Sequence, residues 1–414
     1  MSAVEVVIRI NMQRFLIIGA IVIVVLGLGV GAYFFFFTGT AQVEVTPGGG
    51  ATLPVSGQGA PVTSTAGSVG TSPTSGSSGS PVSVSTRLVK ISAGPVVPGE
   101  VAIDRAGSAS SSPEVAINYV DRRSGNIYAY LMRAKTLTRI SNRTIPGIQS
   151  AEWLPDGTAA FVRYLSGTNF STINTYSLPA TGSGGFFLPQ DLADISVSGT
   201  NILTLSAGVN GSTASLVRTD GTRPVTVFST PLSSLRVDFM GKGQYLATTK
   251  PSATLPGNAY LVDGTGRLSR IAGPHNGLVT LASHTGKWLL VSYTLGSAMQ
   301  MELVNTATGE TVSLPVASIA DKCVWAADDS VIYCGIPVNP QSGSLYPDDW
   351  YQGAVQFSDR IWKIQVSGRY AQLVLDFSKE TKGSLDAESL AVNAANTVLV
   401  FTNKNDGSLW SYSL

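Results

Sequence analysis

An all-β chain, folded as a seven-bladed β-propeller closed by its own first strand, is what the sequence predicts, and three observations predict it. The stretch EWLPDGTAAFVRYL (152–165) returns, weakened, about every 43 residues to the C-terminus, and a fixed period of that size with several strands per unit is how a propeller reads. The later copies are DISVSGTNILTLS (194–206), RVDFMGKGQYLATT (236–249), TLASHTGKWLLVSY (280–293), CVWAADDSVIYCGI (323–336) and LAVNAANTVLVFTN (390–403). From Arg87 onward, short alternating strands are broken by Gly, Asn, Asp and Pro, with no sustained helical period. The charged stretch from Lys379 to Ser389 reads as a loop. Third, each hairpin echo is followed by two more strands, except that the last blade lacks a fourth strand before the chain ends at Leu414. RLVKIS (87–92) matches the fourth strands TLTRIS (136–141) and RLSRIA (267–272), so it is expected to complete that blade and remove an open sheet edge. The first blade would be EVAIDR (100–105), EVAINYVD (114–121), GNIYAYLM (125–132) and TLTRIS. Its hairpin is the least regular, so six or eight blades stay open alternatives.

The elements before the propeller follow in order. Residues 1–14 form a short stub carrying Arg9 and Arg14. Phe15 to Phe37 is an apolar run without a charge, and at about 1.5 Å per residue it reaches roughly 34 Å, enough to span a hydrocarbon core of about 30 Å. It is longer than the apolar part of a cleavable signal peptide, although Gly39-Thr40-Ala41 leaves that alternative open. Tyr33 and Phe34 to Phe37 suit a membrane interface, and no Lys or Arg follows the run until Arg87. The positive-inside rule then puts the N-terminus in the cytoplasm and the rest outside. Residues 38–86 are almost entirely Gly, Ser, Thr, Pro, Val and Ala, with Glu44 the only charge. Such a segment cannot bury enough apolar surface to offset its chain entropy and is expected to be a disordered linker. Residues 87–414 are the propeller.

The stretch Trp153-Leu154-Pro155-Asp156-Gly157, with Phe161 after it, resembles the WD-like propeller repeat of TolB-type periplasmic proteins, a pattern also found in dipeptidyl-peptidase propellers. The family pattern has Ser where this chain has Leu154, and the other copies keep only the strand pattern and a turn residue. The resemblance spans residues 87–414 at the level of architecture. It implies an extracytoplasmic propeller with binding duties and carries over no catalytic residue. Asp-Gly suits a two-residue turn, and Trp153 and Phe161 are expected to pack between blades.

Chemistry is sparse. The chain is 43% hydrophobic and 13% charged with a net charge of +1, which leaves no nucleic-acid footprint. No Gly-x-Ser-x-Gly elbow, phosphate loop or dinucleotide fingerprint is present, so no cofactor is expected. The two histidines, His275 and His284, lack a metal-ligand spacing.

One irregularity points to a site. The last two echoes lie about 67 residues apart, and the extra residues fall at 336–358. This insertion carries Tyr346, Asp348, Asp349, Trp350 and Tyr351, the aromatic and polar mixture that binding hot spots use; a loop burying its own aromatics is the alternative. Arg122, Arg123, Arg143, His275, Asp321 and Lys322 are expected on the same face. The function expected is a non-enzymatic binding or scaffold module at the cell envelope, meeting the membrane through 15–37 and an envelope protein or glycan through the propeller. The alternatives are an envelope hydrolase or lyase acting on glycans or peptides, or a subunit of a larger assembly. Finally, Cys323 and Cys334 flank Asp328-Asp329, and a two-residue hairpin there would place them opposite each other, within reach of a disulfide.

Overall fold

The computed structural model describes residues 87–107, 113–241, 243–381 and 383–414. The stub, the apolar run and the linker read from the sequence therefore lie outside the described residues. Among the described residues no helix is long and apolar enough to cross a membrane.

Seven antiparallel sheets follow one another along the chain. Blade 1 is Val101–Arg105, Glu114–Val120, Ile127–Leu131 and Thr136–Arg139. Blades 3, 4, 5 and 6 repeat this plan, with innermost strands Leu192–Val197, Leu235–Phe239, Val279–Ala282 and Cys323–Trp325. Blade 7 has Ala387–Val392 innermost, then Val398–Asn403 and Ser408–Ser413. Its fourth strand is Leu88–Ser92, with Leu88 opposite Tyr412 and Lys90 opposite Trp410. The ring is thus closed by the N-terminal strand. The Arg87 guanidinium donates to the Ser413 carbonyl at 2.7 and 3.0 Å and lies over the Tyr412 ring.

Each blade is covered by a neighbour on both faces. Central strands therefore read as continuous apolar runs. Val331–Pro337 and Val398–Asn403 are buried at every position, whereas the outer strand Thr136–Arg139 is exposed at every position. In blade 2 the expected fourth strand GFFLP is reduced to a bridge between Tyr176 and Phe187. Pro189 has no N–H to extend the ladder, and a side chain at Gly185 would meet the Tyr176 ring, which holds this stretch in one tight arrangement.

Blade 3 keeps a two-residue turn, Ser198 N–H donating to Asn201 O, but other hairpin turns differ from the two-residue form expected. In blade 2, Leu154 N–H donates to Ala159 O and Gly157 N–H to Leu154 O, a four-residue loop whose third member has φ 67°. The same loop returns in blades 5, 6 and 7, with Gly286, Asp329 and Asn396 at the left-handed position. Glycine at 286 is also required by space: an added Cβ would stand 1.6 Å from the Met240 carbonyl oxygen of the neighbouring blade. The longer loop keeps the strand register. Cys323 lies opposite Cys334 with Cα atoms 4.1 Å apart, and their sulfurs are bonded. Trp153 is buried and donates Nε1–H to Gly99 O, and Trp325 does the same to Leu281 O one blade back.

Two short helices, Asp348–Tyr351 and Phe377–Glu380, interrupt the strands. The second starts the charged stretch read as a loop; Asp376 caps it by accepting from Ser378 N–H, and it ends after one turn.

Candidate functional site: the channel and its cover

The innermost strands alternate in character, and their polar members project into the channel. In blade 3 Asp194 and Ser196 alternate with buried Ile195; in blade 4 Arg236 and Asp238 alternate with buried Val237. Glu152 of blade 2 and Thr280 of blade 5 take corresponding places, and Asp321 joins from the turn before blade 6. Together they line a cavity of about 310 Å³.

The groups are unevenly satisfied. Asp194 accepts from Val237 N–H at 2.9 Å and faces Arg163 at 3.9 Å. Asp238 accepts from Ser196 Oγ at 2.7 Å and Phe239 N–H at 2.8 Å, both on one oxygen. Arg236 pairs with Asp321 at 2.9 Å, and Asp321 also accepts the Tyr351 hydroxyl at 2.7 Å. Glu152 has no hydrogen-bond or ion-pair partner among the described residues. Burial, together with Asp194 and Asp238 nearby, holds its carboxyl well above the usual range against the pull of Arg163 and Arg236. Burial also raises Asp194 and Asp238. Asp321 pushes Arg236 up, which keeps the guanidinium charged.

Two further carboxylates stand where blade 7 meets blade 1. Glu100 accepts from Thr402 Oγ1, and Glu388 pairs with Lys404; burial raises both. The opposite mouth is wider, about 660 Å³, and more apolar: Phe239, Tyr245, Leu281, Val324 and Leu390 line it beside His284.

The insertion of blade 6 closes down on the ring. Trp350 is buried, and its Nε1–H donates to both oxygens of Asp386 at 3.0 and 3.2 Å. Asp386 also accepts from Phe357 N–H and binds the fully buried Lys322, which pairs with Asp359 at 2.8 Å and donates to Ala387 O. Burial and the adjoining Asp386 raise Asp359 to about 6 despite Lys322. Lys322 also lies 4.8 Å from the centre of the Trp350 ring.

The sequence-derived candidates are thus distributed as follows. Tyr346 is buried, with its hydroxyl on Gln341 O. Asp348 accepts from Ala253 N–H of blade 4 and Asp349 from Leu345 N–H. Of the five insertion residues, Tyr351 is the one that reaches the channel group, through Asp321. His275 stacks on Tyr293 with centroids 4.2 Å apart, Arg143 lies over Tyr176, and Arg122 and Arg123 are exposed on blade 1. Reading loops for function missed Glu152, Asp194, Arg236 and Asp238. The signal was present: Glu152, Asp194, Arg236 and Thr280 are the polar first residues of successive echoes. Among the described residues no three His, Cys, Asp or Glu side chains are grouped to hold a metal ion.

No family model and no curated protein matches the chain. Solved structures do. An oligogalacturonate lyase in complex with manganese is 8% identical over 79% of this chain and 97% of that one, with a TM-score of 0.50. A chain of the mitotic checkpoint complex is 11% identical over 84% and 99%, also with a TM-score of 0.50. The β-propeller domain of the Trilobed protease from Pyrococcus furiosus is 9% identical over 76% and 94%, with a TM-score of 0.47. Identities this low speak to fold alone, and by fold the chain is a seven-bladed β-propeller.

Proposed function

We propose that the chain is a binding module of the cell envelope: a cytoplasmic stub (1–14), a membrane span (15–37), a linker (38–86) and an extracytoplasmic propeller that takes its ligand in the channel. The observation supporting the binding role is the cavity in which Glu152, without a partner among the described residues, stands beside Asp194, Asp238 and Asp321, with Arg236 the one cation of the described residues lining it. Excess negative charge in a confined, partly desolvated space complements a cation. The ligand group is therefore an ammonium, such as the amino group of a peptide side chain or of an amino-bearing glycan. Tyr351 of the insertion reaches this group through its hydroxyl, which donates to Asp321.

Proton and cation compete for the raised carboxyls. At low pH these groups are protonated, so affinity should climb as pH rises above the ordinary carboxylate range, with protons released on binding. An aliphatic diamine serves as probe. Calorimetry in buffers of different ionisation enthalpy should show binding with proton release, weakened about tenfold or more by Glu152→Gln and unchanged by Arg123→Ala. Equal binding by the parent and Glu152→Gln would reject the channel as the site.

One observation favours a second reading, an envelope hydrolase or lyase acting on glycans or peptides. A carboxyl pushed well above its usual range by burial, beside two further raised carboxyls, is an arrangement that general acid–base chemistry uses. New reducing ends or amino groups released by the parent but not by Glu152→Gln would favour it over binding.

The membrane arrangement rests on Arg9 and Arg14 before the apolar run and no basic residue after it until Arg87. Protease added outside cells, with any outer membrane opened, should release nearly the whole propeller. A propeller protected until the cytoplasmic membrane is broken would reverse the topology.

A further inference from the structure

Exposed large apolar side chains are not scattered over this propeller. Phe170, Val209, Leu255, Val338 and Leu345 stand in the connections between second and third strands, and Leu165 and Leu295 at the ends of the second strands that lead into them, one or two on each of blades 2 to 6. Those connections share one face of the ring. The remaining exposed apolar residues are, with few exceptions such as Leu232, on outer strands, as Leu137 and Val225 are.

The tips protrude. Val209 is 102% exposed, Phe170 and Leu295 71% each, and Leu255 67%. Phe170 is held at φ 54°, in the left-handed region that a bulky side chain enters only when its surroundings impose it. From blade 2 to blade 5 these connections contain one charged residue, Lys250, among Gly, Ser, Thr, Asn and Pro. Arg122, Arg123 and Arg143 stand exposed on the same face towards blade 1. Several acids of this face are engaged: Asp191 accepts from Ile173 N–H, Asp348 from Ala253 N–H and Asp349 from Leu345 N–H.

We propose that this face docks on a lipid bilayer, the apolar tips entering the headgroup–acyl boundary and the arginines meeting anionic headgroups. Separate, protruding single side chains suit a fluid surface. A protein partner would instead be met by a contiguous, close-packed patch with shape complementarity. Apolar depth plus basic charge is the combination that holds a protein at a membrane interface.

The proposal leans on the membrane span proposed for residues 15–37 for its membrane.

Residues 87–414 close their own ring, so this fragment can be tested without the span. It is mixed with vesicles of phosphatidylcholine, with or without phosphatidylglycerol, and sedimented. The fragment should partition onto both, more strongly with phosphatidylglycerol. Phe170→Ser with Leu255→Ser and Leu295→Ser should lower partition about tenfold or more without shifting the melting temperature. Arg122→Glu with Arg123→Glu should remove the gain from phosphatidylglycerol. A fragment that ignores vesicles, or a triple variant that binds as the parent does, overturns the proposal. So does a triple variant that only dissolves a dimer of the fragment, which would make a second copy the occupant. Carbonate extraction of the full chain tests the anchor separately: a chain that is extracted, while the fragment still binds vesicles, sinks the anchor and leaves the docking face standing.

Discussion

Asp386→Ala should lower the unfolding free energy by about 3–5 kcal/mol, the usual loss when one member of a buried ion pair is removed. Asp386 is fully buried and accepts from Lys322 Nζ, Trp350 Nε1 and Phe357 N–H. Alanine strands the Trp350 and Phe357 donors and leaves the buried Lys322 with Asp359 and Ala387 O alone. Asp386→Asn keeps an acceptor for Trp350 and should fall between the parent and the alanine variant. Trp350→Ala should cost a similar amount, since it opens a large cavity and unseats the insertion. Denaturant unfolding of the three variants measures this. Losses under about 1 kcal/mol would mean that the insertion is not anchored by this network. A functional test of the insertion therefore calls for Tyr351→Phe, which removes only the hydroxyl on Asp321.

Deleting residues 87–92 should cost about 3–6 kcal/mol, from the burial of Leu88 and the partial burial of Val89 and Ile91, plus the newly opened edge of Ser408–Ser413. Deleting 40–80 should leave stability unchanged. The comparison is again made by denaturant unfolding, and two truncations of equal stability would refute closure by this strand.

Much of the architecture was legible because it depends on local pattern. Alternation and turn residues mark each blade, and the likeness of RLVKIS to the other fourth strands marks the closure. The pairing of Cys323 with Cys334 was legible because lengthening the turn at Ala327–Ser330 symmetrically leaves the sum of paired positions unchanged. The exact turn was not, since Asp329 at φ 56° takes a place that Gly157 and Gly286 fill elsewhere. The channel was hidden for another reason. Glu152, Asp194 and Asp238 look like ordinary solvent-facing strand residues, and only ring closure turns that side inward. The insertion misled differently: Tyr346 and Trp350 look like a binding rim until Lys322 and Asp386, distant in sequence, are seen to hold the indole.

The closing strand also imposes an order in time. Arg87 meets Ser413 across 326 residues of chain. At a synthesis rate of about 5–20 residues per second, the first strand waits roughly 15–65 s for its partner. Throughout that interval Leu88–Ser92 lacks its partner strand, and the growing ring keeps an unpaired edge able to pair with another emerging chain. The propeller should therefore be most prone to aggregation and proteolysis just before its last strand is made, and resistant once Ser413 has arrived. A chain stalled a few residues short of Leu414 would stay in the vulnerable state however long it was left.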